Sequence, residues 1–219
     1  MGSKSDSALV KKYCENHYGE LFVFGYLCSH HFEMIEYNNL RMIVSRLEKQ
    51  GFLKKISKGI FIIGETKENI DDLVFMHYTN NGNGMPAGEY LLFKLGIIEK
   101  EPEIKEIYSR LAVGNRQIGN IKLIQNMSSF LKGNPVNINL LIELISSLKK
   151  ANETEALALT IKISELAQKY DDSYLLAYVR YDYGRINFIK LESFLNSINI
   201  SNEVMKIYET KIRNIDKSK

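Results

Sequence analysis

The chain has 219 residues, and 45% of them are hydrophobic, which is enough to bury a substantial core in one domain or two. Lys and Arg number 29 and Asp and Glu number 26, so the formal net charge is only +3. The chain has neither a run of about eighteen uncharged apolar residues nor an apolar signal-peptide core. Its two cysteines are too few for a disulfide framework. These features predict a cytoplasmic protein without membrane contact.

Two helices and one ambiguous apolar stretch are predicted before residue 52. The first helix runs from Ser5 to about Tyr18, and residues 20–32 fit either a short buried strand or a second helix. A third helix, from about Tyr37 to Gln50, is predicted from apolar residues at positions i, i+3, i+4 and i+7, and Gly51 provides a left-handed stop. The apolar residues of this helix are Leu40, Ile43, Val44 and Leu47.

A β-hairpin is predicted directly after the third helix. The runs FLKKI and GIFII are rich in β-branched and aromatic residues, and Ser57 and Lys58 can form the turn between them. Helices followed by a two-stranded hairpin are typical of a winged helix-turn-helix, whose third helix enters the major groove of DNA. We therefore predict a winged-helix DNA-binding domain at residues 1–65.

The positive charge of the chain is concentrated in this domain. Residues 36–58 hold six basic and two acidic side chains, whereas residues 59–219 hold twenty of each. Asn and Arg side chains can read adenine and guanine, and Lys side chains suit phosphate contacts. The predicted DNA-binding residues are Asn38, Asn39, Arg41, Ser45, Arg46, Lys49, Lys54, Lys55 and Lys58.

The remaining residues, 66–219, predict a second domain, which gives an α+β fold overall. A connecting helix is expected at Thr66 to Tyr78, a small antiparallel sheet at about 103–126, and helices at about 137–216. The turn before the helix that starts near residue 153 offers Asn152 or Thr154 as its cap. Four tyrosines at helical spacing predict either a packing face or a partner surface: Tyr170, Tyr174, Tyr178 and Tyr181.

No set of residues indicates catalysis, a metal or a cofactor. Cys28, His30, His31 and Glu33 are close in sequence, but adjacent helical histidines point in different directions and no second ligand pair completes a tetrahedral site. The glycines of NNGNGMPAG do not match a phosphate-loop spacing. We therefore expect a binding protein and not an enzyme.

Two segments resemble AbiEi-type antitoxins of bacterial abortive-infection, type IV toxin-antitoxin systems. The first is the end of the winged helix, although Phe61 stands where the family more often has Tyr, and the second is MPAGEYLLFKLGIIEKEPEIKEIYS, residues 85–109. The matching positions of the first segment are Leu47, Gly51, Leu53, Lys54, Lys58, Gly59, Ile60 and Phe61, and those of the second are Ala87 to Leu95, Gly96, Pro102 and Ile104 to Tyr108.

The resemblance extends over about residues 5–125 and implies a function. It implies an antitoxin that represses its own operon at inverted repeats in double-stranded DNA, which calls for two copies on the DNA. It also implies a functional partner, a nucleotidyltransferase-like toxin encoded beside it. The alternative from the residues alone is a winged-helix protein-interaction module without a DNA role.

Overall fold

The computed structural model describes residues 3–126, 138–175 and 184–216. The chain divides into two compact units, Met1–His77 and Tyr78–Lys219. The sequence placed the domain limit after residue 65. The limit between the two units instead falls inside helix α4 (Ile70–Thr79). The fold is α+β, as predicted.

The first unit has the element order of a winged helix. Its elements before α4 are α1 (Ser3–Asn16), β1 (Leu21–Val23), α2 (Phe24–His30), α3 (Tyr37–Lys49), β2 (Leu53–Ser57) and β3 (Ile60–Ile63). Both interpretations of residues 20–32 hold, because a short strand leads directly into a helix. The three strands form one antiparallel sheet in the order β1-β3-β2.

Helix α3 forms where the apolar periodicity predicted it. Leu40, Ile43, Val44 and Leu47 are all buried, and together they form the face that packs into the core. Gly51 ends the helix with a φ of +78°, a conformation that costs glycine little because it lacks a Cβ atom. The backbone N–H of Phe52 then donates to the carbonyl of Leu47 at 2.9 Å, and this bond turns the chain back toward β2.

The hairpin turn differs by one residue from the prediction. Ser57 pairs with Ile60, so the turn consists of Lys58 and Gly59 and not of Ser57 and Lys58. A register shift between Lys55 and Ser57 adds a residue to β2, and the φ of +74° at the turn favours glycine. Periodicity alone does not reveal such a bulge.

The core of the first unit joins the helices to one face of the sheet. Its buried members are Val10, Cys14, Phe22, Leu27, Phe32, Ile35, Leu40, Ile43, Val44, Leu47, Leu53, Phe61 and Ile63. Phe61 packs edge-on against Phe22 with ring centroids 6.3 Å apart. The side of the sheet that carries Phe61 therefore faces α3, which determines where the exposed side chains of β2 can lie.

The second unit contains a four-stranded sheet and a set of helices. After a short 3-10 turn (Asn80–Gly82), its elements are β4 (Gly84–Pro86), α5 (Gly88–Lys94), β5 (Lys105–Ser109), β6 (Arg116–Ile118), β7 (Ile121–Gln125), α6 (Ile138–Ser147), α7 (Glu153–Ala167), α8 (Asp172–Leu175), α9 (Arg185–Ser197) and α10 (Val204–Asp216). The helices pack around one core, which includes Leu141, Leu159, Ile163, Phe188 and Leu191. In the described ranges, no helix combines the length and the apolar composition needed to cross a membrane.

The sheet lies in the predicted range, with β4 added at one edge. Its strand order is β4-β5-β7-β6. The β6–β7 pair is antiparallel, as predicted, and so is the added β4–β5 pair, whereas the central β5–β7 pair is parallel. Side-chain alternation is the same in both arrangements, so it does not predict strand direction.

Helix α7 begins with a capping box. Asn152 Oδ1 accepts a hydrogen bond from the backbone N–H of Glu155 at 2.9 Å, and Glu155 Oε2 accepts from that of Asn152 at 3.1 Å. We expect Asn152→Ala to lower the free energy of unfolding by about 1 kcal/mol, because the backbone N–H of Glu155 loses its partner. Thr154→Ala, at the other candidate cap, is the control and should change it by less than about 0.5 kcal/mol. Urea denaturation of both variants measures the difference, and equal losses would contradict the assignment.

The predicted tyrosine face is only partly within the described residues. The hydroxyl of Tyr170 donates to Asp172 Oδ1 at 2.8 Å. Burial, together with this carboxylate, raises the pKa of Tyr170. Tyr178 and Tyr181 and the side chain of Tyr174 lie outside the described part of the structure.

Candidate nucleic-acid interface

The outer face of α3 is a row of exposed side chains. Asn38, Met42, Ser45 and Lys49 follow one another at spacings of four, three and four residues, so they lie along one line of the helix. All four are exposed, and the line lies opposite the buried residues of α3. We call these four residues the outer row. A helix presents such a row to the major groove when it binds DNA.

Two arginines flank the outer row. Arg41 lies on one side of it and Arg46 on the other, and both side chains are exposed. A guanidinium group can donate two parallel hydrogen bonds to guanine or to a phosphate. The row is therefore bordered on both sides by groups suited to DNA.

Asn39 is placed differently from the other predicted residues. It is half-buried, and its side-chain Nδ2 donates to Asp6 Oδ2 at 2.7 Å. This bond joins α3 to α1, so part of the hydrogen-bonding capacity of Asn39 serves the packing of the two helices.

Lys54 and Lys55 lie on opposite faces of the sheet because they are consecutive in β2. Lys55 pairs with Phe61, so it lies on the face that carries the core and α3. Lys54 pairs with Ile62 on the other face, where its Nζ donates to Glu65 Oε1 at 2.9 Å. Both side chains of this ion pair are largely exposed, and the lysine holds the pKa of Glu65 below its usual range. Of the two lysines, only Lys55 lies on the face of the sheet against which α3 packs.

The turn that carries Lys58 is held near the start of α3. The backbone N–H of Phe24 donates to the carbonyl of Gly59 at 2.9 Å. The Phe24 ring in turn packs edge-on against Tyr37, the first residue of α3, with centroids 5.3 Å apart. Strand β2 starts beside the last turn of α3, and the hairpin turn lies near the first turn of α3. Lys55 and Lys58 therefore lie beside α3 at different points along its length. Lys58 is exposed.

Acidic residues limit the positive charge of this surface. Residues 1–77 contain ten basic and ten acidic side chains, so their formal charges cancel. Glu33 and Glu36 are exposed just before α3, and Glu48 is half-buried on it. Any attraction to phosphate therefore depends on the placement of single basic residues and not on a uniformly positive domain.

His30 and His31 have aromatic partners, and Cys14 is buried. His30 stacks on Tyr26 with centroids 4.3 Å apart, whereas the neighbouring His31 faces Tyr13 at 5.4 Å. Burial raises the pKa of the Cys14 thiol to about 11, so at neutral pH it is not a thiolate nucleophile. Over the described residues, no three His, Cys, Asp or Glu side chains are grouped to hold a metal ion.

The glycine-rich stretch of the second unit is next to a carboxylate. A Cβ atom at Gly88 would lie 2.5 Å from Glu106 Oε2, so this carboxylate packs directly against the glycine. Glu106 also accepts from Lys122 Nζ at 2.6 Å. Glu106, in its ion pair with Lys122, therefore occupies the space beside Gly88.

Several residues that shape the interface have no signal in the sequence. The Asp6 carboxylate accepts a hydrogen bond from Asn39, and the Glu65 carboxylate accepts one from Lys54. Each pair joins residues that are far apart in the sequence. Sequence patterns within one helix or strand do not contain such contacts. The contact of Phe24 with Tyr37 is of the same kind.

Comparison with known proteins gives only weak structural similarity. No family model matches the chain, and no curated protein matches it. Among solved structures, the chain is similar to the crystal structure of the RV2827C protein from Mycobacterium tuberculosis, with 12% sequence identity and a TM-score of 0.41. The similarity covers 94% of this chain and 81% of that chain. A similarity at this TM-score carries no argument about this chain.

Proposed function

We propose that the winged helix binds double-stranded DNA in a sequence-specific way and that the protein acts as a transcriptional repressor. The observation that supports this most directly is the exposed outer row of α3 with Arg41 and Arg46 beside it. The winged-helix element order gives α3 a known mode of entry into the major groove. Lys55 and Lys58 lie on the strand and turn beside the same helix.

The side chains suggest separate roles in this complex. Asn38 is suited to adenine and Arg41 to guanine, because each can form two hydrogen bonds with the base edge. Arg46, Lys49, Lys55 and Lys58 are suited to phosphates on either side of the groove.

The physiological role that we propose is that of an antitoxin in an abortive-infection operon. This part rests on the resemblance of residues 47–61 and 85–109 to AbiEi-type antitoxins. It implies two copies bound to inverted repeats and a nucleotidyltransferase-like toxin whose effect the protein opposes. Co-expression of the adjacent gene tests it: growth arrest by that gene alone and rescue by this chain would support the proposal, whereas no effect on growth would contradict it.

DNA binding can be tested with a duplex selected from a randomised library. Wild-type protein should bind the selected duplex more tightly than a scrambled duplex in fluorescence anisotropy. Arg41→Ala should reduce this ratio about tenfold or more, because a lost guanine contact weakens only the correct sequence. Binding to the scrambled duplex should change much less.

A control and a contrary outcome complete this test. Lys149→Ala removes one positive charge from an exposed residue of the second unit, far along the chain from α3. It should leave the ratio unchanged. Equal affinity of the wild type for selected and scrambled duplexes would reject sequence-specific binding.

A protein-interaction module is the second candidate. It is favoured by the cancelled charge of residues 1–77 and by exposed apolar side chains near α3, such as Met34, which is 98% exposed. Co-purification of the untagged neighbouring gene product with this chain, without any binding to DNA, would support it.

A further inference from the structure

An apolar side chain lies in the middle of the outer row. Met42 is 53% exposed, and it lies one helical turn after Asn38 and one turn before Ser45. The remaining members of the row and its flanks are polar or basic. A methionine here leaves much of its apolar surface in water, so a partner that covers this surface would gain free energy.

The position of Met42 relative to Asn38 limits what it can contact. Side chains four residues apart on a helix have Cβ atoms about 5–6 Å apart. Successive base pairs are separated by about 3.4 Å. Two such side chains in the major groove therefore reach the same base pair or nearby ones.

Among the four bases, one offers an apolar group in the major groove. The C5-methyl group of thymine is that group, and it accepts contacts from apolar side chains. Methionine is unbranched and has three rotatable bonds, so it can adapt to a small methyl group at the groove floor. The basic Arg46 and Lys49 on the neighbouring positions favour a polyanion over an uncharged apolar partner at this surface.

We infer that Met42 contacts the C5-methyl group of a thymine close to the base pair read by Asn38. This inference rests on the proposed DNA binding and adds one specificity-determining residue to it. The preferred duplex therefore contains at least one thymine whose methyl group contributes to affinity. Burial of one methyl group corresponds to about a fourfold change in Kd.

Replacement of thymine by deoxyuridine tests this contact because it removes only the methyl group. The probe is the duplex selected with the full-length wild-type protein, and each thymine is replaced in turn. For the wild type, one or two replacements should raise Kd about fourfold, and the others should have no effect. For Met42→Ala, thymine and deoxyuridine duplexes should bind equally.

The controls separate failure of the contact from failure of DNA binding. Met34→Ala removes an even more exposed methionine just before α3 and should keep the fourfold preference. Selected duplexes that bind specifically but show no effect of deoxyuridine, or a preference that persists in Met42→Ala, would overturn the inference and leave the proposed function intact. A wild-type protein that selects no duplex would overturn both.

Discussion

Replacement of Lys55 and Lys58 together by alanine should weaken binding to every DNA duplex about tenfold to a hundredfold at low salt. Both lysines belong to the strand and turn beside α3, where they are suited to phosphates, which every sequence presents. Each neutralised phosphate contributes about −0.9 to the slope of log K against log salt concentration. The slope of the double variant should therefore be shallower by about two, as measured by fluorescence anisotropy at several salt concentrations.

Two control variants make this result specific. Lys54→Ala removes the neighbouring lysine, which lies on the other face of the sheet in an ion pair with Glu65, and it should change the salt slope by much less. Lys149→Ala with Lys150→Ala removes the same formal charge from exposed residues of the second unit. If either control weakened binding as much as the double variant, net charge and not the position of Lys55 and Lys58 would determine affinity.

The helices and hairpin of the first unit were predictable because their signals are local. Helix α3 carries its buried residues at the helical period, and Gly51 stands where a left-handed residue ends the helix. The strand β3 is a continuous apolar run, and all four of its residues are buried. Each of these features depends on residues that are close together in the sequence.

The site was less predictable because it depends on contacts between elements. Charge clustering groups Lys54 with Lys55, but the alternation of a strand separates them, and Glu65 pairs with the first. Asn39 has the same residue type as Asn38, yet it packs against α1 through Asp6. A one-dimensional charge count therefore identifies the region but not the face on which each side chain lies.

Gly84→Ala should destabilise the second unit by about 3 kcal/mol or more. A Cβ atom at this position in β4 would lie 2.5 Å from the carbonyl oxygen of Tyr78 and even closer to that of Tyr108. These oxygens belong to the backbone, so no side-chain rotation relieves the overlap. Ser109, which pairs with Gly84, is completely buried, and its hydroxyl donates to the Tyr78 carbonyl at 2.7 Å. This hydrogen bond keeps the Tyr78 carbonyl close to β4. Urea denaturation followed by far-UV circular dichroism measures the loss.

Gly96→Ala is the matched control because the same atoms are added in open space. No atom lies within 4 Å of a Cβ built on Gly96, although its φ of +70° disfavours residues other than glycine. The expected loss is about 1 kcal/mol, from backbone conformation alone. The excess loss in Gly84→Ala then measures the overlap between β4 and its neighbours. A loss no greater than that of Gly96→Ala would mean that β4 does not pack this closely against β5.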